Sequence, residues 1–169
     1  MPSYIAFLRA VNVGGTGKLP MAELRAMCES IGLTGVRTYI ASGNVVFQSR
    51  LSEASVKAKL ERCLEDYAGK PVGVAVRTGS ELAAVLEGNP FKTAAPNRTV
   101  AIFLDAPPPT DALDAATGRK AEEMALGTRE IYVHYGEGMA DSKLKIPAAK
   151  TGTARNMNTI ATLVGWAAE

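Results

Sequence analysis

The sequence has little net charge, a single histidine and no long apolar run, and each of these shortages excludes a class of protein. A formal net charge of +2 is too small to indicate a nucleic-acid-binding protein, which usually carries a clear basic excess. The histidine, His134, alternates within a predicted strand, which argues against a histidine-based triad or a multi-histidine metal site. We therefore predict no metal ligands. No nucleophile or general base stands out, so the sequence predicts neither a catalytic residue nor a cofactor.

Cysteine is also scarce. Cys28 and Cys63 each lie among apolar residues at helical spacing, which predicts two buried thiols in a reducing compartment. Their spacing is not that of a zinc site. The chain shows neither a charged-then-apolar leader nor an apolar run near the roughly 20 residues that span a bilayer. We expect a cytoplasmic protein with no membrane partner.

What the sequence does have is enough apolar material for a core. Apolar residues make up 47% and charged residues 21% of its 169 residues, which is ordinary for a globular protein. A chain of this length needs no disulfide or metal to hold its core, and it suits one large domain or two small ones.

Residues 1–88 are predicted to form a ferredoxin-like βαββαβ half. The nearly continuous apolar run at residues 3–8 predicts a strand that is buried on both faces and central in its sheet. Gly43 and Asn44 fit a two-residue hairpin turn, because glycine accepts a positive φ. The remaining predicted elements are helices beginning near Pro20 and Ser52, strands at 36–41, 45–48 and 72–77, and a short helix from its cap at Ser80 through Leu86.

Residues 89–169 are predicted to form a smaller α/β half, which makes the fold class α+β. The breaks between Gly88 and Asn97 mark the boundary between the halves. The predicted elements are strands at 99–105 and 129–135 and helices at 111–126 and 154–168, with Thr153 capping the last helix.

A glycine-rich loop between the first strand and the first helix is one candidate ligand site. Its backbone N–H groups could turn toward an anion at the helix N-terminus. It is not a nucleotide P-loop, which needs glycine in place of Asn12 and Ser or Thr in place of Leu19. A plain flexible connector is the alternative. The candidate residues in and before the loop are Arg9, Asn12, Gly14, Gly15 and Lys18.

A basic segment in the second half is the other candidate. From residue 142 to residue 158 there are four basic residues and no acidic one. Cations at the start of a helix oppose its dipole, and a bound anion would relieve that conflict. A solvated basic face is the alternative. The candidate ligand-binding residues here are Ser142, Lys143, Arg155, Asn156 and Asn158. Arg155 is predicted to lie on the last helix and to point outward or into a cleft.

The hairpin residues Ser42, Gly43 and Asn44 complete the candidate set. These polar groups have no core role in the apolar pattern, and convergence on one site would explain them. We therefore expect Arg9 and Lys18 to lie close to residues 42–44 or to Arg155.

Several stretches resemble an uncharacterised bacterial family, domain of unknown function 1697. They are residues 7–15 (FLRAVNVGG), 20–25 (PMAELR), 37–47 (RTYIASGNVVF), 89–91 (NPF), 142–144 (SKL) and 155–159 (RNMNT). The chain departs from the family pattern at Ala10-Val11, at Ala41 and at Met157, where the family usually has Gly-Ile, Asn and Trp. The resemblance implies a shared fold of ferredoxin-like character and implies no activity.

Three functions remain in competition. The first is binding of a small anionic, phosphorylated ligand at the glycine-rich loop and the basic segment. The second is nucleic-acid binding over the same basic surface, which the low net charge disfavours. The third is an interaction or oligomerisation module without a ligand. A ferredoxin-like fold serves all three functions, so fold alone does not choose among them.

Overall fold

The computed structural model describes residues 2–9, 20–39, 43–69, 71–120, 122–136, 142–150 and 152–168. Within these ranges the fold is α+β, with four α-helices and two four-stranded sheets. The chain divides into two compact units: Met1–Leu82 with Leu163–Glu169, and Ala83–Thr162. The sequence-based halves at 1–88 and 89–169 stay a prediction.

The first unit has the element order β-α-β-β-α-β. The elements are β1 (Ser3–Leu8), α1 (Met21–Ser30), β2 (Thr34–Tyr39), β3 (Asn44–Gln48), α2 (Glu53–Ala68) and β4 (Val74–Thr78). The strands lie in the order β2-β3-β1-β4, and each neighbouring pair is antiparallel. The predicted central position of β1 is therefore confirmed.

Burial on both faces of the first sheet explains the continuous apolar run of β1. Tyr4 and Leu8 pack into a core with the helical residues Leu24 and Leu60, while Phe7, which points to the other face, is also fully buried. Cys28 belongs to this core, where burial raises the pKa of its thiol to about 12, and Cys63 is half-buried. Among the helices of the described residues, none is both long and apolar enough to cross a membrane.

Local capping fixes the helices of this unit. The Ser52 hydroxyl accepts a hydrogen bond from the Ser55 N–H, as predicted, and Gly69 ends α2 at a φ of +73°. The next helix, α3 (Gly79–Glu87), begins with a reciprocal pair in which Thr78 Oγ1 accepts from the Glu81 N–H and Glu81 Oε1 accepts from the Thr78 N–H.

The predicted two-residue turn between β2 and β3 is wrong. Asn44 belongs to β3 and lies opposite Tyr39 of β2, so it is a strand residue and not the second residue of a turn. Asn44 Nδ2 donates to the Tyr39 carbonyl at 3.0 Å, so the buried side-chain amide is hydrogen-bonded to the neighbouring strand β2. Gly43 does adopt the positive φ that the sequence predicts, at +83°.

The second unit is built on a four-stranded antiparallel sheet. Its strands are β5 (Thr99–Phe103), β6 (Glu123–Leu126), β7 (Glu130–His134) and β8 (Thr153–Asn156), in the order β6-β7-β5-β8. Val100 and Ile102 of β5 pack with Ile131 and Val133 of β7 in its core. The predicted strands at 99–105 and 129–135 are confirmed.

The predicted helix at 111–126 is wrong. A short 3₁₀ turn at Ala112–Ala115 and strand β6 take its place. Gly118 lies between them at a φ of +73°, which interrupts any helix. Met124 and Leu126 pack against the core of this unit, and they belong to strand β6, which pairs with β7.

The predicted start of the last helix, at residue 154, is also wrong. Residues Thr153–Asn156 form β8, and α4 runs from Met157 to Ala167. The helix cap is Asn156, whose Oδ1 accepts the Thr159 N–H at 2.9 Å. The Thr153 hydroxyl accepts instead from the guanidinium of Arg155 at 2.7 Å.

Candidate ligand cleft

A cleft of about 650 Å³ opens beside the sheet of the second unit. Lys145 and Lys150 of the predicted basic segment both line it. The other lining residues are Ile102, Thr117, Tyr135, Leu144, Ile146, Pro147 and Ala149. The lining is therefore mainly apolar, with two lysines, a threonine and a tyrosine among its residues.

Backbone contacts hold the basic segment in place. The Lys145 N–H donates to the Thr117 carbonyl and the Thr117 N–H donates to the Lys145 carbonyl, both at 2.8 Å. Gly118 lies so close to the Lys143 carbonyl that a Cβ at this position would overlap it. A 3₁₀ turn at Pro147–Ala149 then leads to Lys150. Lys145 and Lys150 thus lie on a segment that is held by the Thr117–Lys145 backbone bonds and by a 3₁₀ turn.

Glu122 anchors the start of the same segment. Its carboxylate accepts hydrogen bonds from the Ser142 hydroxyl and from the Lys120 N–H, the latter at 2.6 Å. These two bonds, with the Arg119 charge as a smaller cause, lower the pKa of Glu122, so the carboxylate is ionised at neutral pH. Ser142, predicted to bind ligand, is therefore engaged in positioning the segment.

Tyr135 supplies a neutral polar group to the cleft. Burial, and secondly the charge of Glu122, raises the pKa of its phenol. The phenol therefore keeps its proton at neutral pH and can donate a hydrogen bond.

Arg155 lies apart from the cleft. In the register of β8 with β5, Ala154 is opposite Ile102 and Arg155 is opposite Ala101. Since successive side chains point to opposite faces, Arg155 lies on the face of the sheet away from Ile102. It is 8% exposed, so the prediction that it projects outward from a helix is wrong.

The other residues predicted in the basic segment have separate places. Lys143 is exposed and does not line the cleft. Asn156 caps α4, and Asn158 is exposed in the first turn of that helix. The structure thus separates the basic segment into two cleft lysines, a buried arginine and a helix start, and none of the candidate ligand residues named in this segment lines the cleft.

In the first unit two predicted residues, Gly43 and Asn44, lie beside the end of β1. The Leu8 N–H donates to the Gly43 carbonyl at 2.8 Å, and Asn44 lies opposite Phe7. Arg9, which follows Leu8 and is exposed, donates its N–H to the Gly73 carbonyl at 2.8 Å, and its side chain lies beside Gly73. Its expected closeness to residues 42–44 stays a prediction. The predicted site residues Asn12, Gly14, Gly15, Lys18 and Ser42 lie outside the described residues.

None of the nine described lining residues was a named candidate for ligand binding. Four residues at or beside the cleft also lie outside the predicted basic segment and were missed altogether: Ile102, Thr117, Glu122 and Tyr135. The predicted helix over 111–126 hid two of them, because it gave Thr117 and Glu122 no strand or bridge partner. In the part of the chain that the structure describes, no group of three or more His, Cys, Asp or Glu residues could hold a metal ion. His134 has a structural contact, with Nδ1 3.0 Å from the Thr99 hydroxyl.

Comparison with known families decides the relationship. The family described as protein of unknown function (DUF1697) matches residues 1–132. The chain belongs to this family. The match includes Ile102, Thr117 and Glu122, whereas Tyr135 and the segment with both cleft lysines follow its end at residue 132.

The fold recurs in a solved structure. The chain is similar to the conserved bacterial protein SP0830 from Streptococcus pneumoniae, with a TM-score of 0.81 and 26% identity over 98% of each chain. Among curated proteins, none matches the sequence. Neither the description of the family nor that of this relative states an activity.

Proposed function

We propose that the protein binds a small anionic ligand, with phosphorylated compounds as the first class to test, in the cleft of the second unit. One observation carries the proposal: Lys145 and Lys150 line the same 650 Å³ cleft. Two ammonium groups at the edge of an apolar wall favour a negative charge, because their attraction for it is less screened there than in bulk water. The volume falls within the range usual for small-molecule sites.

Neutral groups support the same ligand class. The Tyr135 phenol is protonated and the Thr117 hydroxyl can donate, so both suit the oxygen atoms of a phosphate or carboxylate. The nearby Glu122 carboxylate accepts hydrogen bonds from the Ser142 hydroxyl and the Lys120 N–H, which partly offset its negative charge. A ligand with one anionic group therefore meets donors at the cleft.

The lysines test the proposal directly. We expect phenyl phosphate to bind, and Lys145→Gln or Lys150→Gln to weaken its affinity about tenfold through loss of a charge-assisted contact. Lys143→Gln is the matched control, because Lys143 lies on the same segment, is exposed and does not line the cleft. Titration calorimetry at constant ionic strength gives the affinities. Equal affinity in all four proteins would refute the proposal.

Three related expectations belong to the proposal. The end of β1, where the Leu8 N–H meets the Gly43 carbonyl and the next residue, Arg9, is exposed, supports a second anion-binding point at the glycine-rich loop. The β-α-β-β-α-β order supports a ferredoxin-like class for the first unit. A cytoplasmic location agrees with the buried Cys28 thiol. Nucleic-acid binding and a ligand-free interaction module are the alternatives.

A further inference from the structure

The cleft walls constrain the chemistry of the ligand beyond its charge. Five of the nine described lining residues are wholly apolar: Ile102, Leu144, Ile146, Pro147 and Ala149. A small hydrated anion gains nothing from such walls, and loses hydration if it enters among them. An apolar group that covered them would be removed from water together with the wall.

We propose that the ligand is an amphipathic anion, in which an apolar body of several carbons occupies the cleft and a single anionic group meets Lys145 and Lys150. This inference rests on the proposed function, because it takes the two lysines as the partners of the anionic group. Acyl or aryl phosphates and carboxylates share the required chemistry.

The order of residues along the basic segment supports this division of the ligand. Leu144 and Ile146 flank Lys145, and Pro147 and Ala149 lie between Lys145 and Lys150. The apolar and basic members of the cleft therefore alternate along one segment. Ile146 is already buried, but Leu144 and Ala149 are half-buried and Pro147 is exposed. A ligand that met only the ammonium groups would leave the exposed surface of these three residues in water, whereas an apolar body would cover it.

The size of the cleft is consistent with such a body. Sites for drug-sized molecules usually enclose roughly 300–1,000 Å³ and combine apolar walls with a few polar groups. At about 650 Å³ the cleft holds more than a phosphate ion. Ile102 and Ile146 are themselves buried and belong to the core cluster of the unit, so this wall is fixed before any ligand arrives.

A chain-length series of phosphate monoesters tests the inference on the unaltered protein. Inorganic phosphate, methyl phosphate, butyl phosphate and hexyl phosphate carry the same anionic group and differ in apolar area. We expect affinity to rise about three- to fourfold for each methylene group that becomes buried, as measured by calorimetry. Hexanol, which has the apolar body without the charge, should bind at least tenfold more weakly than hexyl phosphate.

Two variants separate the contributions of the walls and the lysines. Lys150→Gln should weaken all the phosphates by the same factor and leave the gain per methylene unchanged. Leu144→Gln should reduce the gain per methylene, because it replaces an apolar wall by an amide. Its urea midpoint, compared with that of the unaltered protein, checks that the fold is retained.

The outcomes distinguish this inference from the proposed function. If inorganic phosphate and hexyl phosphate bind equally and both depend on Lys150, the amphipathic ligand is refuted while anion binding stands. If hexanol binds as tightly as hexyl phosphate, or if no phosphate binds, both proposals are refuted. A rising series that depends on Lys150 supports both.

Discussion

Arg155 shows how a charged residue can serve the fold. Burial lowers the pKa of its guanidinium to about 10, which still leaves it protonated at neutral pH. Its Nη1 donates to the Thr153 hydroxyl at 2.7 Å and to the Ala154 carbonyl at 2.8 Å. Both of these acceptors belong to β8 itself, and Arg155 lies on the sheet face away from the cleft residue Ile102.

We expect Arg155→Ala to lower the free energy of unfolding by roughly 2–4 kcal/mol, because it empties a large buried volume and removes both bonds. Lys143→Ala, at an exposed position of the basic segment, should change it by no more than about 0.5 kcal/mol. Urea denaturation gives both values. A stable Arg155→Ala protein that loses phenyl phosphate binding would restore the ligand role predicted from sequence.

Gly118 is the glycine on which the geometry of the cleft depends. Its φ of +73° strains any other residue, and a Cβ would overlap the Lys143 carbonyl. Gly69 has the same φ and no atom within 4 Å of an added Cβ, so it isolates the cost of strain alone.

We expect Gly118→Ala to destabilise the protein more than Gly69→Ala, which should cost about 1 kcal/mol. Only Gly118→Ala should also weaken phenyl phosphate binding, because the overlap displaces the segment that carries Lys145. Denaturation and calorimetry on the two variants measure this. If binding is lost equally in both, the segment does not control the cleft.

At the scale of elements, the sequence predicted correctly those helices and strands that are long enough to show a repeating apolar pattern. The run in β1 and the capped period of α2 determined the first unit, because burial of those patterns leaves few alternatives. Strands β6 and β8 have four residues each, which is too short to show a period of two. They exist because they pair with β7 and β5, and such pairing is not visible in a local window.

The start of α4 gives a direct test of this reassignment. Asn156→Ala should cost about 1 kcal/mol of stability, since its Oδ1 caps the helix through the Thr159 N–H. Asn158→Ala is the matched control: it makes the same chemical change two residues later, at an exposed helical position, and should cost little. Thermal and urea unfolding compare them. Equal costs would place the cap elsewhere.

At the scale of the whole molecule, the cleft is a product of tertiary structure. Its lining residues extend from Ile102 to Lys150, and they meet only because β5 lies inside the sheet and Thr117 bridges to Lys145. The sequence did indicate the basic segment by its lack of acidic residues. It could not show that two of the basic residues face an apolar cleft while Arg155 lies on the other face of the sheet.

The exposed lysines also set the test of nucleic-acid binding. Lys143, Lys145 and Lys150 are exposed, whereas Arg155 is buried, so at most three of the four basic residues of the segment could meet phosphates at the surface. Three contacts to a duplex would give a log–log salt slope of roughly −2.7. With a net charge of only +2, we expect weaker binding and a shallower slope.

Lys143→Gln separates the two functions in one experiment. On a duplex-binding surface its loss would reduce the salt slope by about 1, because one phosphate contact disappears. In the cleft its loss should leave phenyl phosphate affinity unchanged, since Lys143 does not line it. Fluorescence anisotropy of a labelled 20-base-pair duplex at several salt concentrations, beside calorimetry with phenyl phosphate, measures both. If the slope is near −2.7 in the unaltered protein and its magnitude is smaller by about 1 in Lys143→Gln, nucleic acid is the ligand of this segment. The small-anion proposal would then be wrong.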